Sequence, residues 1–479
     1  MFTSPLCFVI NMAIVYIVYE ICRLVFLAVN WSMFSDSLTW QAFGEMLVGG
    51  WFFDTSAILY TNALYALLML FPIHYKESAL YQKVAKWVFV VVNAVSIVAN
   101  LTDCVYFQYT TRRTTGTVFS EFKNENNLGS IFGVELLRHW YLVLIGVVLI
   151  AALWYFYRMP KGERPEAVKR PYRLKPMARY YAVQTVCLAV FVPFCIAGMR
   201  GGFTTAVRPI TISNANQYVE RPLEAAIVLN TPFSLIRTMG KKVFQVPDYY
   251  TAQQLDAIYS PIHMPNDSLT KRKKNVVVII IESFGREYIG GFNKWLDGGR
   301  YKGYTPFVDS LMQHSATYQY SFCNGRKSID GMPSILSSIP MFVEPFFLTP
   351  ASLNKVSGVA SMLAPKGYYS AFFHGGHNIS MGFGAFAHAI GYKDYFGLNE
   401  YCKSPKYHGM DDFDGKWAIW DEPFFQFTLD EMEHFKQPFV TTVFSASSHH
   451  PYKVPAQYAN VYREEGGLPI HKCIRYTDM

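Results

Sequence analysis

The hydrophobic pattern of the chain changes near residue 200. Before that point apolar residues form five long runs, whereas the later sequence mixes apolar and polar residues as globular domains do. Each run is long enough for a hydrocarbon core of about 30 Å. We therefore predict five membrane helices: Leu6–Val29, Met46–Phe71, Trp87–Phe107, Tyr141–Tyr157 and Tyr180–Ala197.

Basic residues predict the orientation of these helices. The loop Arg158–Arg179 is rich in Lys and Arg, with only Glu163 and Glu166 opposing them. Loops with such an excess stay on the cytoplasmic side of a membrane. The N-terminus and the lysine-containing loop Lys76–Lys86 are then inside, and everything after Ala197 is outside.

Four charged residues lie within the apolar runs: Glu20, Arg23, Asp54 and Asp103. Burying a charge in lipid is costly, so these side chains are expected to face one another or a polar cavity. Pairing between helices is one interpretation, and a channel for a lipid substrate is the other.

The sequence after the apolar runs divides into a linker and a globular part. Short amphipathic pieces, Pro222–Leu229 and Pro232–Met239, could lie along the outer membrane surface. The basic run Lys271–Lys274 is either a solvated face or a contact for lipid phosphate. We predict a membrane domain over residues 1–200, an amphipathic linker over 201–270 and an α/β domain over 271–479.

The α/β domain opens with the sequence NVVVIIIESFG, residues Asn275–Gly285. The β-branched run Val276–Ile281 is too short for a membrane span and predicts a strand buried on both faces of a parallel sheet. The run stops at Glu282. Ligands gather beyond the carboxyl ends of such strands, so Glu282 is a candidate metal ligand. The alternative is an acidic residue that caps the next helix.

Two further predicted apolar strands are each followed directly by polar residues. Gly367–Phe373 is followed by a Gly-rich turn with two histidines, and Phe439–Phe444 by a Ser-rich turn with two more. This pattern predicts a doubly wound sheet with one functional edge. We expect a phosphate or metal role for at least one of the four histidines: His374, His377, His449 and His450.

A candidate nucleophile lies in the turn that opens another helix. Ser328 falls near the N-terminus of this helix, where free backbone N–H groups favour anions. Its hydroxyl, deprotonated by a metal on Glu282, could attack phosphorus. The preceding Lys327 is a candidate substrate contact. The alternative is an ordinary N-cap serine, with Asp330 as an acidic first-turn residue. The segment Asp411–Glu422 is expected to be a surface loop, with Asp411 and Asp412 as weaker ligand candidates.

Charge and cysteine content argue against nucleic-acid binding, a disulfide framework and a thiolate zinc site. The net charge is +8, but no basic-aromatic pattern for nucleic acid accompanies it, and much of the excess lies in the loop Arg158–Arg179. The cysteines outside the apolar runs are Cys323, Cys402 and Cys473, an odd and scattered set. This spacing indicates neither a disulfide framework nor a thiolate zinc site.

In combination, these features resemble the lipoteichoic acid synthase-type branch of the alkaline phosphatase/sulfatase superfamily. The shared features are the membrane bundle, the amphipathic linker, NVVVIIIESFG, a serine in a helix-opening turn and a strand ending in S-x-H-x-P. The resemblance covers nearly the whole chain. It implies an α-helical membrane bundle followed by an extracytoplasmic sulfatase-like α/β domain in the bacterial cytoplasmic membrane.

The resemblance also implies roles for individual residues. Glu282 matches the strand-end metal carboxylate of that branch. Ser328 matches its nucleophile and metal ligand, which is usually Thr. His449 matches the histidine that contacts the substrate phosphate, and His374 and Lys327 are further candidates for substrate binding. The implied cofactor is a divalent metal, manganese first, with zinc or magnesium as alternatives.

Two departures from the pattern bear on substrate and activity. The stretch His377–Phe386 lacks the Trp and Arg that hold glycerol phosphate in that branch. The family's later Asp-His pair of metal ligands also has no counterpart before the sequence ends at Met479, so we expect a truncated catalytic domain. True sulfatases carry a Cys/Ser-x-Pro-x-Arg motif, which neither Cys323 nor Ser328 begins.

The leading hypothesis is a membrane-anchored phosphotransferase that moves a phosphoglycerol-type head group from a phospholipid donor to a glycan or lipid acceptor in the cell envelope. A phosphoethanolamine transferase or phosphodiesterase of the same fold is an alternative. An inactive membrane protein that binds lipid or glycan without turnover is another. The sequence does not indicate an oligomeric state.

Overall fold

The computed structural model describes residues 3–35, 38–121, 128–160, 174–202, 209–240, 248–260, 273–325, 327–341, 345–462 and 467–479. Most of the basic loop Arg158–Arg179 and the first half of the run Lys271–Lys274 lie outside these residues. The chain divides into two compact units. One contains Met1–Lys241 with Phe347–Lys355, and the other contains Lys242–Phe346 with Val356–Met479.

The first unit is helical. Its α-helices are α1 Thr3–Val29, α2 Trp31–Phe34, α3 Trp40–Thr61, α4 Ala63–Leu70, α5 Ala79–Thr110, α6 Val118–Glu121, α7 Leu128–Arg138, α8 Trp140–Phe156, α9 Leu174–Arg200, α10 Ala225–Val228 and α11 Thr231–Thr238. The predicted domain boundaries at residues 200 and 270 stay predictions.

The prediction of five membrane helices is corrected to three clear spans. By length and apolar composition, the described helices that could cross a membrane are Ser4–Val29, Ala79–Thr110 and Ala178–Arg200. The second predicted span consists of α3 and α4, which are bent by 67° at a break. The fourth, α8, is apolar but has only 17 residues.

A buried amide pair lies at the break in the second predicted span. Asn62 separates α3 from α4, and its side chain exchanges hydrogen bonds of 2.8 and 3.0 Å with Asn93 of α5. Asn62 also donates to the Ile58 carbonyl at 3.0 Å. Hydropathy alone cannot reveal this break because the flanking residues are apolar on both sides.

The charged residues within the apolar helices pair with partners inside the unit. Arg23 Nη2 lies 2.5 Å from Asp54 Oδ2, and Arg23 Nε lies 3.2 Å from Glu20. Asp103 pairs with Arg113 at 3.5 Å. The Arg23, Asp54, Asp103 and Arg113 side chains are all at most 3% exposed. These contacts confirm the interpretation that the charges pair within the bundle.

The segment after α9 packs into the same core. Residues Ala225–Leu229 are buried, and so is Phe233. Arg23 donates to the carbonyls of Ile227 and Val228. Asn230 donates to Asp54 at 2.8 Å. Pro222–Leu229 therefore lies within the helical unit rather than along its surface.

The second unit is an α/β domain with a four-stranded sheet. Its strands are β1 Val276–Ile280, β2 Tyr369–His374, β3 Asp394–Phe396 and β4 Phe439–Phe444. Its α-helices are α12 Ala252–Ile258, α13 Pro306–Met312, α14 Ser328–Ser337, α15 Val359–Leu363, α16 Phe383–Ala389, α17 Leu398–Lys403, α18 Asp421–Glu433 and α19 Ile470–Asp478. The strand order is β1-β4-β2-β3, and every pairing is parallel.

The sheet confirms the predicted strands but corrects the burial of β1. Strand β4 is buried at every position, and β4 and β2 are the two central strands of the sheet. In contrast, Val277 and Ile279 of β1 are 44% and 60% exposed. Strand β1 pairs with β4 on one side and is the edge of the described sheet. A run of β-branched residues therefore does not require burial on both faces here.

Candidate functional site

The carboxyl ends of three neighbouring strands bring the candidate residues to one edge of the sheet. Glu282 follows β1 by two positions, His374 ends β2, and Ser445 directly follows β4. Because β1, β4 and β2 are parallel and adjacent, their carboxyl ends meet at the same edge. The structure thus places these side chains where the sequence predicts a functional edge.

Ser328 and Glu282 are in direct contact. The Ser328 hydroxyl donates to Glu282 Oε2 at 2.7 Å, although the two residues are 46 positions apart in the chain. Both side chains are half-buried. Ser328 is the first residue of α14, and no side chain caps this helix. The alternative of an N-cap serine does not describe Ser328, because Lys327 takes the N-cap position and the Ser328 hydroxyl binds Glu282 instead.

Two other serines hold Glu282 in place. Its backbone N–H donates to Ser445 Oγ at 2.8 Å, which ties the end of β1 to the end of β4. Its second carboxylate oxygen accepts the Ser283 hydroxyl at 2.9 Å. Ser283 has a φ of 58°, a left-handed conformation that is uncommon outside glycine. The turn after β1 is therefore shaped around the Glu282 carboxylate.

The residues beside Ser328 differ in exposure. The Lys327 side chain is exposed, so it is accessible to an anion. Asp330 is 2% exposed, and its Oδ1 atom makes no hydrogen bond within the described part of the chain. An acidic residue in the first turn of a helix is stabilised by the helix dipole. The alternative interpretation of Asp330 as a first-turn acid therefore fits the structure.

His374 is enclosed by aromatic rings. Its side chain is 8% exposed and packs against Phe383 and Phe444. Nδ1 lies 3.2 Å from the Phe444 carbonyl oxygen. Burial lowers the pKa of His374, while the Phe444 carbonyl and the charge of Glu282 oppose this shift. A neutral imidazole at this position is suited to packing and hydrogen bonding rather than to carrying charge.

His449 lies in the turn after β4 against a residue that the sequence did not single out. The Trp417 ring packs on the His449 ring with a centroid distance of 4.2 Å. Trp417 Nε1 also donates to the His450 carbonyl at 2.6 Å. His450 itself is exposed, and His377 packs against Phe413. Of the predicted histidines, His374 and His449 have the most specific surroundings.

A buried aspartate also holds the turn after β4. Asp421 Oδ1 accepts the Ala446 N–H at 2.8 Å and the Ser447 N–H at 3.2 Å. The Thr477 hydroxyl donates to its other oxygen at 2.7 Å. Burial raises the pKa of Asp421, and these hydrogen bonds oppose that shift. Asp421 belongs to the predicted surface loop, and its buried role was not visible in the sequence.

Of the two weaker ligand candidates, Asp411 is exposed and Asp412 has other partners. Asp412 accepts a hydrogen bond of 2.5 Å from the Tyr401 hydroxyl and another from the His408 N–H. Asp414 Oδ1 accepts from three backbone N–H groups, those of Lys416, Trp417 and Ala418. These contacts organise the loop itself.

The donor set fits one side of a site for a hard divalent cation. Glu282 and Ser328 offer adjacent oxygen atoms, which suit manganese or magnesium better than a soft metal. Across the described ranges, no group of three or more His, Cys, Asp and Glu side chains is arranged to hold a metal. Glu282 and Ser328 would thus be two of the ligands of such a cation.

The comparison with known proteins agrees with this fold. Residues 274–468 match the protein-family model described as Sulfatase. This part of the chain is therefore similar to the sulfatase family, in agreement with the superfamily that the motifs indicate. Members of this superfamily generally use divalent metals.

Two solved structures are similar to part of the chain. One is a protein in the alkaline phosphatase superfamily from Vibrio parahaemolyticus, with 23% identity, coverage of 44% of this chain and 49% of that one, and a TM-score of 0.38. The other is the lipoteichoic acid synthase LtaP from Listeria monocytogenes, with 19% identity, coverage of 43% and 49%, and a TM-score of 0.35. The chain spans about half the length of each of these structures.

Proposed function

We propose that this protein is a membrane-anchored, metal-dependent phosphotransferase with Ser328 as its nucleophile. The observation that carries the proposal is the 2.7 Å hydrogen bond from Ser328 to Glu282 at the carboxyl edge of the sheet, in the region that matches the Sulfatase family model. Phosphoryl transfer depends mainly on positioning and on charge stabilisation. A divalent cation, when bound, would lower the pKa of the hydroxyl and neutralise phosphate charge.

The reaction is a pair of displacements at phosphorus. In the first, Ser328 Oγ forms a bond to the head-group phosphorus of a phospholipid, and the bond from phosphorus to the diacylglycerol oxygen breaks. Ser328 gives up its proton to water as it attacks, and the diacylglycerol oxygen takes a proton from water as it departs, while the Glu282 carboxylate keeps the hydroxyl oriented. In the second, an acceptor hydroxyl attacks the same phosphorus, gives up its proton to water, and releases Ser328, whose oxygen regains a proton from water. His449 and Lys327 would contact the phosphate oxygens.

We propose a transferred head group of the phosphoglycerol type, because the motifs resemble those of the lipoteichoic acid synthase-type branch. One observation favours a different head group, such as phosphoethanolamine. The stretch His377–Phe386 offers neither Trp nor Arg, and its Phe383 and Phe386 side chains are buried. We therefore include both head groups as donors in the test.

The test uses the full chain in proteoliposomes with manganese and phospholipids labelled in the head-group phosphate. Phosphatidylglycerol and phosphatidylethanolamine are offered separately. We expect label to accumulate on the peptide that contains Ser328 and to pass to an added acceptor. Ser328→Ala should lower transfer by roughly a thousandfold or more, as expected for loss of a nucleophile.

Ser315→Ala is the matched control because Ser315 is an exposed serine of the same unit whose hydroxyl donates to the Leu311 carbonyl and not to Glu282. We expect this variant to retain most of the transfer activity. Label that persists after Ser328→Ala would contradict the proposed nucleophile. A chain that binds lipid but never transfers label would support the non-catalytic alternative.

A further inference from the structure

The loop between α17 and α18 forms a brace for the turn that carries His449. We call residues Asp414–Asp421 the brace segment. Its first residue, Asp414, accepts three backbone N–H groups with one carboxylate oxygen, at distances of 2.6 to 3.2 Å. This arrangement fixes the backbone at Trp417. An isolated antiparallel bridge between Ala418 and Gly376 ties the brace segment to the turn after β2.

The brace segment contacts the turn after β4 at two points. At its last residue, Asp421 accepts the N–H groups of Ala446 and Ser447, and the Asp421 N–H donates to Ser447 Oγ at 2.9 Å. In its middle, Trp417 packs on His449 and donates to the His450 carbonyl. The turn is therefore held on either side of the candidate phosphate contact.

Within the described part of the chain, the His449 ring contacts a backbone carbonyl in addition to the Trp417 ring. Its Nδ1 atom lies 3.1 Å from the carbonyl oxygen of His450, the residue that Trp417 also holds. The side chain is half-buried, and the Trp417 ring packs against it. Aromatic pairs at such distances are favourable and have a preferred geometry.

We propose that Trp417 is a positioning residue that holds the His449 imidazole for contact with the substrate phosphate. The inference rests on the proposed function for the phosphate contact, while the packing of the two rings stands independently of it. Trp417 acts through His449 and not through Ser328 or Glu282, so its effect depends on the presence of the imidazole.

The first test is a double-mutant cycle on the full chain in proteoliposomes, with the donor that supports transfer. Trp417→Ala should lower transfer by roughly 3- to 10-fold, the range expected for loss of an aromatic pair. In a His449→Ala background the same substitution should change transfer less than twofold. Trp417→Phe keeps a ring face and should recover part of the loss. Trp295→Ala removes an exposed tryptophan of the same unit and is the control.

The second test does not need turnover. Diethyl pyrocarbonate modifies accessible imidazoles, and peptide mass spectrometry reports the modified fraction at each histidine. Trp417→Ala should speed modification of His449 several-fold, Trp417→Phe should restore part of the protection, and exposed His434 should be unchanged in both variants.

The outcomes separate this inference from the proposed function. Equal losses from Trp417→Ala with and without His449 would overturn the inference, because a general structural defect does not depend on the imidazole. Unchanged modification of His449 in Trp417→Ala would also overturn it. Absence of transfer with every donor would count against the proposed function, and His449 protection would then decide the role of Trp417.

Discussion

At the scale of single residues, the candidate site is built from hydroxyl and carboxylate contacts in which each group has a defined partner. Glu282 accepts from Ser328 and Ser283 and donates its backbone N–H to Ser445. The two uncharged hydroxyl donors fix the orientation of the Glu282 carboxylate. Its charge therefore remains available for a cation.

The buried position of His374 at the carboxyl edge of the sheet can be tested through its pKa. Burial lowers the folded-state pKa of His374 below its ordinary value of 6.5. Between the lowered pKa and about 6.5, the unfolded chain binds more protons than the folded chain. The contribution of His374 to stability is therefore complete above about pH 6.5 and is lost as the pH falls towards the folded-state pKa.

We expect thermal unfolding of the full chain in metal-free buffer to show this loss of stability on acidification. His374→Gln should remove part of the pH dependence between pH 7 and about 5. The control is His314→Gln, since His314 is exposed. If His374→Gln and the wild-type chain lose stability in parallel over this range, His374 is not held neutral by burial.

At the scale of secondary-structure elements, the helical unit is held together by polar contacts as well as apolar packing. Arg23 of α1 connects Asp54 of α3 to two carbonyls of α10. Asp103 of α5 accepts from the Thr231 hydroxyl at 2.6 Å, which ties α5 to α11. Each charge has several partners, so α10 and the start of α11 are fixed within the unit.

Loss of one partner from this network should be destabilising. Arg23→Met leaves Asp54, which is fully buried, without its cation. We expect a loss of about 3 kcal/mol in the free energy of unfolding, because an unpaired buried charge is costly. The measurement is denaturant or thermal unfolding in detergent, with Arg23→Met/Asp54→Leu expected to regain part of the loss.

Glu20→Gln is the matched control for that substitution. The Glu20 side chain is 35% exposed and pairs with the same arginine, so we expect a change within about 1 kcal/mol. A melting temperature of Arg23→Met equal to that of wild type would show that the pair contributes little to the unit.

At the scale of the whole molecule, the basic loops and the apolar helices together predict which residues are outside. Three described helices are long and apolar enough to span a membrane. The sequence predicts that residues 274–468, which match the Sulfatase family model, lie on the extracytoplasmic side. Its free cysteines provide natural probes, because Cys323 and Cys402 are exposed whereas Cys473 is buried.

We expect a membrane-impermeant maleimide to label the protein in intact spheroplasts, at Cys323 and Cys402. The double substitution Cys323→Ser/Cys402→Ser should remove this signal. In that background, Met159→Cys in the predicted cytoplasmic loop Arg158–Arg179 should react only after permeabilisation, since Met159 is exposed. Labelling of Cys323 and Cys402 only after permeabilisation would reverse the predicted orientation.

The sequence by itself determined the elements whose signals are local. The positions of β2 and β4 and the helix that opens at Ser328 follow from runs of apolar residues and from turn chemistry. Because parallel strands end at a common edge, the sequence also placed Glu282, His374 and His449 at strand ends that share one edge.

Only the tertiary structure decided which side chains meet and which surfaces are covered. The contact of Ser328 with Glu282 and the packing of Trp417 on His449 join residues far apart in the chain. The exposure of Ile279 depends on what packs beside β1. The break in the helix at Asn62 occurs where the Asn62 side chain binds Asn93 of another helix. Such features arise from long-range packing, which local hydrophobic periodicity does not encode.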